Sequence, residues 1–238
     1  MKPWFERHPD LLQREEQEVS SAFPNLYFVI EGETVRIRGG VPTVVGTVTI
    51  DQFQIEMTLA PDHPNGLPRV RELGGRVPQL AEYHSYADGY LCVFLPEESP
   101  VFWPPDSTIT SFLRGPLNSY FVSFLHYCQV GSWPFGERAH GIDGVLDFYK
   151  EKAGLDDPLA LVSFLDRLRL RTLRGHLPCV CRSGVILRRC HPAALALAAT
   201  MSPSIATASL GRLLLAAEDA TDRSRLHPLR MALTKARA

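Results

Sequence analysis

No apolar run in this 238-residue chain approaches the ~20 residues that a membrane-spanning helix needs. None follows Lys2 either: the opening Met1-Lys2-Pro3-Trp4-Phe5-Glu6 has no apolar segment of the secretory kind, and a soluble, cytoplasmic protein is the expectation. An excess of one charge is also missing. The 25 Lys and Arg nearly balance the 26 Asp and Glu, for a formal net charge of −1, which argues against a nucleic-acid polyanion as the overall partner. Glycine-rich nucleotide loops are absent, and with them any sign of an ATP-activating domain. Cysteine is scarce and odd in number: of five, three fall within residues 179–190. Secreted disulfide frameworks are not spaced this way, which leaves thiol chemistry and metal binding.

What is present is organised around His84 to Ile109, HSYADGYLCVFLPEESPVFWPPDSTI. Its Cys92 lies in the short apolar run Leu91-Cys92-Val93-Phe94-Leu95, a setting that ordinarily marks a buried, inert thiol. Three neighbours argue otherwise. Gly89 supplies a turn beside the sulfur, His84 is a polar group upstream that can hydrogen-bond or carry a proton, and Trp103-Pro104-Pro105 breaks any continuing strand. A cysteine at the edge of a turn is reachable, so Cys92 is the candidate nucleophile.

The flanking elements follow from periodicity. Leu12, Val19 and Phe23 fall at helical spacing from Asp10 to Phe23, with Asp10 as cap. Four extended stretches come next: Leu26 to Glu31, Thr34 to Arg38, Val44 to Ile50 and Phe53 to Leu59, punctuated by Gly32, Gly39-Gly40 and Asp51 as turns. Pro61, Pro64 and Pro68 argue against regular structure before the cysteine segment. Asp106 or Ser107 is expected to cap a helix through Phe112, Leu117, Phe121 and Leu125, in which Cys128 is core packing. A further helix is expected over Ile142 to Lys152. The Gly154-Leu155-Asp156-Asp157-Pro158 break then opens the next helix, with Asp157 as cap and Pro158 in the first position. The fold class is therefore α+β, with domains at 1–155 and 156–238.

The cysteine segment resembles the active site of ubiquitin-conjugating enzymes. The family places a glycine three residues before its cysteine, here Gly89, and a Trp-x-Pro-x-x-Thr-Ile segment after it, here Trp103 to Ile109. The family's Pro-Asn pair has no counterpart, and His84 occupies the asparagine's place eight residues before the cysteine. A closer resemblance is to bacterial stand-alone conjugating enzymes of antiphage defence operons that also encode a cGAS-like nucleotidyltransferase, the short type II CBASS arrangement. It rests on Asp88-Gly89-Tyr90-Leu91-Cys92 and on Trp133-Pro134-Phe135-Gly136-Glu137-Arg138-Ala139-His140-Gly141, and covers residues 10–153. The resemblance implies a ubiquitin-conjugating-enzyme fold and a thioester on Cys92. His84 would assist the catalysis, with Tyr86, Gly89, Trp103 and His140 in support. It further implies that the carried group is the C-terminus of the nucleotidyltransferase, that another chain activates it, and that a target-protein amine receives it. Glu137 and His140 read equally well as residues that cap the helix after them.

A second cysteine group stands at Cys179, Cys181, Cys190 and His191, a C-x-C-x8-C-H spacing. Three sulfurs and an imidazole make a tetrahedral, structural zinc set that leaves no open position for chemistry. Residues 176–192 resemble the SEC-C motif, with Pro178, Ser183 and Gly184 in place and Val180 and Arg182 as departures. The resemblance implies a docking module. Seven arginines (Arg167, Arg169, Arg171, Arg174, Arg182, Arg188 and Arg189) surround it without an acidic residue between 167 and 190, which reads either as a solvated face or as a patch for an anionic partner. Helical runs follow at Ala193 to Thr200 and Ser204 to Ala217, and Asp222 to Ala238 is expected to be a charged, frayed end.

Overall fold

The computed structural model describes residues 2–134, 139 and 141–237. The chain forms two compact units, Met1–Glu137 and Arg138–Ala238. The first begins with a short helix α1 (Trp4–Arg7) and a longer α2 (Pro9–Ala22). Pro9 holds the first position of α2, and His8 rather than Asp10 precedes it; Asp10 instead lies in the first turn, where a carboxylate favours the helix dipole. Glu15 of α2 is buried. Its Oε2 accepts the Ile109 backbone N–H at 3.1 Å, and its Oε1 lies 3.4 Å from His63 Nε2, which ties α2 to the segment that follows the cysteine turn.

Four strands, β1 (Leu26–Glu31), β2 (Thr34–Val45), β3 (Val48–Thr58) and β4 (Arg69–Glu72), form an antiparallel meander in that order. The sheet is confirmed, but its punctuation differs from the expectation. Gly39-Gly40 lies inside β2 and Asp51 inside β3, so the three stretches expected over residues 34–59 form two long strands, the middle one divided by the turn at Gly46-Thr47. The fourth strand comes from the proline-rich segment. Gly39 marks a close approach rather than a turn: it has φ 130°, and a Cβ there would stand 2.0 Å from the Asn25 carbonyl oxygen. Gly39→Ala must therefore move backbone, and we expect it to cost about 3 kcal/mol, from positive-φ strain plus the clash. An unfolding free energy from urea titration within a few tenths of a kcal/mol of wild type would refute this.

One sheet face is apolar. Val35, Ile37, Val41, Phe53, Ile55, Met57 and Val70 are all buried against the helices, while Arg36 and Arg38 on the other face pair with Glu56. After a short α3 (Ser99–Phe102), Thr108 caps α4 (Ile109–Phe112), accepting the Ser111 N–H at 3.1 Å, so the cap falls one residue beyond Ser107. The helix then widens through a π turn at Leu113–Leu117, which accommodates Pro116 and its missing N–H, and continues as α5 (Asn118–Val130). Phe121 of α5 stacks on Phe53 of β3, centroids 4.1 Å apart and planes at 7°. Asn118 accepts the Val44 N–H at 2.7 Å and donates to its carbonyl at 2.9 Å, satisfying both groups where the β2–β3 register shifts. Cys128 is exposed on α5, contrary to the core-packing expectation, because the buried side of the helix is Tyr120, Phe121, Ser123 and Phe124.

The second unit is helical: α6 (Gly141–Ala153), α7 (Pro158–Arg169), α8 (Leu187–Cys190), α9 (Pro192–Thr200), α10 (Pro203–Glu218) and α11 (His227–Arg237). Asp157 caps α7 through the Leu159 N–H at 3.0 Å, with Pro158 first, as its sequence requires. The Gly154–Pro158 break lies within this unit, and the division falls earlier, at Glu137/Arg138. Helix α6 belongs here because its apolar side packs on α9 and α10, where the Tyr149 hydroxyl meets Met201 Sδ at 3.4 Å and Ser209 Oγ at 3.2 Å. The tail is helical rather than frayed, anchored by buried Leu226 and Leu229. Among the described residues no single helix is long and apolar enough to cross a membrane; the apolar pair α9 and α10 is bent by 117°.

Candidate functional site

Residues 84–92 close a small hairpin. The Cys92 N–H donates to the His84 carbonyl at 2.7 Å, Ser85 bridges Leu91, and the Tyr86 N–H donates to Tyr90 O at 2.8 Å. Gly89 sits at the tip with φ 83°, a conformation open to glycine and strained for other residues, and its N–H donates to Tyr86 O at 2.9 Å. The hairpin is tied to the sheet by Leu91 N–H on Val70 O at 2.8 Å. The Tyr90 ring adds a second tie, since the guanidinium carbons of Arg69 and Arg71 lie 3.6 and 4.0 Å from its centroid. Arg69 also pairs with Asp88 at 2.8 Å.

This geometry lifts the Cys92 side chain out of the core. The thiol is half-buried, while Leu91 beside it is 7% exposed. The Tyr86 hydroxyl donates to Cys92 Sγ at 3.4 Å, and the sulfur lies 3.9 Å from Phe94 O. Tyr86 itself is 45% exposed.

His84 is in the left-handed region, φ 49°, so the residue before the strand-like return is also the sharp bend of the turn. Its ring meets the Trp133 indole edge-on at 4.4 Å. Trp133 in turn stacks on Tyr127 at 5.1 Å and donates its indole N–H to Glu82 O at 3.0 Å. The Tyr120 hydroxyl donates to Tyr83 O at 2.7 Å, and burial holds its phenol far above the ordinary tyrosine range. These aromatic braces under the hairpin were not singled out from the sequence, although Tyr120, Phe124 and Tyr127, at helical spacing, are a signal for them. Trp103, in contrast, is buried away from solvent: its indole donates to Pro64 O at 2.9 Å and packs on Phe112, so it acts as scaffold. His140 and Glu137 lie outside the described residues.

In the second unit Cys179, Cys181, Cys190 and His191 come together, with all four donor atoms within 4.8 Å of one another and no disulfide among them. Pro178 bridges Ile186, and the Cys179 N–H donates to Val185 O at 2.9 Å, closing a short hairpin over residues 179–185. Arg182 and Gly184 take the positive-φ positions of its loop. Helix α8 then carries Cys190 back, and His191 follows at its end. Cys179 Sγ lies 3.2 Å from His191 Nδ1 and Cys181 Sγ 3.4 Å from Cys190 Sγ. Around one ion with bonds of ~2.3 Å to sulfur and ~2.0 Å to nitrogen, tetrahedral donors stand roughly 3.5–3.8 Å apart, so the set fits a metal with little movement.

The surroundings suit that role. His191 Nε2 lies 3.1 Å from Gly154 O; donation there leaves the Nδ1 lone pair facing the sulfurs. Ser183 Oγ lies 3.2 Å from Cys190 Sγ. Burial pushes the Cys179 thiol up to about 11, whereas hydrogen bonding, first from Ser183, lowers Cys181 to about 6. One member of the set is thus readily deprotonated, as a thiolate ligand must be. The sequence identified all four members of this group, but not the carbonyl of Gly154, 37 residues upstream of His191. Comparison with known protein families, curated proteins and solved structures found no match to this chain.

Proposed function

We propose that the first unit is a bacterial ubiquitin-conjugating-enzyme-like transferase and that Cys92 carries the C-terminus of a protein as a thioester. The observation that carries this reading is the half-buried Cys92 thiol, set at the edge of a tight hairpin with the Tyr86 hydroxyl on its sulfur. In loading, the thiolate adds to an activated carboxyl carbon and expels its leaving group. In transfer, an amine attacks the thioester, the amide forms, and the sulfur leaves as thiolate. A thiol suits both halves, being nucleophilic and a good leaving group. His84 stabilises the oxyanion or adjusts protonation, roles worth roughly 10²-fold or more.

The resemblance to antiphage conjugating enzymes makes a cGAS-like nucleotidyltransferase the carried protein, activated by a separate chain. In the second unit the Cys/His set holds a structural Zn²⁺, and the module docks a partner. Non-reducing electrophoresis with mass spectrometry on the chain co-expressed with its operon neighbours tests the reading. A thiol-sensitive adduct on Cys92, absent from Cys92→Ala, supports it.

A non-catalytic adaptor on the same fold is the second reading, favoured by the lack of an amide side chain in the hairpin, where His84 stands instead of asparagine. No adduct with any operon product would select the adaptor.

A further inference from the structure

The end of α7, the turn at 170–175 and α9 enclose a groove of about 470 Å³ in the second unit. Leu168, Leu173, Leu195 and Met201 form its apolar walls, and Arg171 and Arg174 stand exposed at its rim. Arg188 lies against the same wall, since a Cβ on Gly175 would meet both Leu195 and Arg188. These cations are not neutralised locally. Among the described residues no carboxylate pairs with Arg171, Arg174, Arg182, Arg188 or Arg189, whereas Arg169 is held by Asp166 and Arg225 by Asp147.

The rim is also preset. Arg171 is fixed at φ 56°, and Arg174 Nη1 donates to the carbonyls of Arg171 and Leu173, each at 2.8 Å. Its Nε and Nη2 hydrogens remain uncommitted among the described residues, in the forked geometry that carboxylates fit.

Two anionic classes would be drawn to such a rim, and the groove separates them. Nucleic-acid strands bind by stacking bases on aromatic side chains along a cationic track. The chain has no Phe, Tyr or Trp after Phe164, so the module offers no stacking platform. An apolar groove beside unpaired guanidiniums instead matches a segment in which leucine-like side chains alternate with carboxylates.

We propose that this groove docks an acidic, leucine-bearing peptide segment of a partner protein, its apolar side chains entering between Leu173 and Leu195 and its carboxylates pairing with Arg171 and Arg174. This names the partner class for the docking role of the zinc module and makes no use of Cys92.

Fluorescence anisotropy on the full, zinc-loaded chain tests it, with a fluorescein-labelled peptide of the pattern Glu-Leu-Glu-Glu-Leu-Leu-Glu as probe. Saturable binding is expected, with a Kd on the order of ten micromolar at low salt, weakening as ionic strength rises. The double variant Arg171→Glu, Arg174→Glu is expected to lose about ten-fold or more in affinity. Ala198→Phe, which fills the groove and leaves the charges in place, is expected to lose as much. Zinc content and far-UV circular dichroism of each variant establish that it is folded. The proposal is overturned if wild type shows no saturable binding, if a control peptide with serine for leucine binds equally well, if the folded variants keep full affinity, or if oligothymidylate binds more tightly than the peptide. Repeating the titration with Cys92→Ala, expected to be unchanged, separates a failure here from a failure of the acyl-transfer reading.

Discussion

Replacing Cys179 and Cys181 together by serine is expected to take the metal content from about one equivalent per chain to none, and to open the knuckle from Leu177 to His191. The size of the effect follows from what else holds that segment. Of residues 176–191 only Cys179, Val180 and Leu187 are buried, far too little apolar surface to fix sixteen residues against their conformational entropy. Binding of a structural zinc by such peptides carries an apparent free energy of about 10–16 kcal/mol near neutral pH. That range matches the whole stability of a typical domain, so a bound zinc would stand in for the missing core. Elemental analysis reads the first outcome. Hydrogen exchange reads the second, with the amides of Cys179 and Leu187, bonded to Val185 and Leu177 carbonyls, losing protection. Full metal retention in the double variant would exclude this set as the site. A chelator should reproduce the loss in wild type, and added zinc should reverse it.

For Cys92, the expected loss is in turnover. Cys92→Ala should abolish transfer, a fall of at least about 10³-fold, since the hairpin holds no second thiol to form the thioester. Cys92→Ser should be separable from it. A serine oxygen forms an ester that leaves poorly when an amine attacks, so loaded protein accumulates in a thiol-resistant form while transfer stalls. Tyr86→Phe removes the hydroxyl 3.4 Å from the sulfur and should slow loading by about ten-fold, the amount set by one hydrogen bond to a charged group. Single-turnover loading and discharge, measured separately, distinguish these outcomes. Wild-type rates in Cys92→Ala would leave the residue without a catalytic role.

The two sites were legible in the sequence to different depths, for a physical reason. Cys179, Cys181, Cys190 and His191 lie within thirteen residues, so local chain geometry alone brings them together, and spacing is sufficient to find them. Their brace at Gly154 O comes from a distant break in the chain, which carries no local mark of it. At Cys92 the hairpin was readable because Gly89 must take φ 83°. The aromatic braces were not, because Trp133 reaches Glu82 and His84 across fifty residues. The meander was foreseen from alternation, as was its turn at Gly32, but the turn at Gly46-Thr47 was not. Gly39 has the composition of a turn, and its role is set by the Asn25 carbonyl that crowds it. Thr108, as a cap, competed with two other good capping residues just before it, and only the side-chain bond to Ser111 decides among them.

The Trp133 contact has a further use. Trp4 and Trp103 are both buried, at 1% and 6% exposure, and both pack around His63, whereas Trp133 is only half-buried and touches the ring of the residue whose carbonyl holds the Cys92 amide. Two indoles thus supply a steady background emission while the third sits one residue contact from Cys92. Trp133 is thereby placed as a built-in optical probe: acylation of the Cys92 sulfur is expected to change its emission, readable in real time without a label.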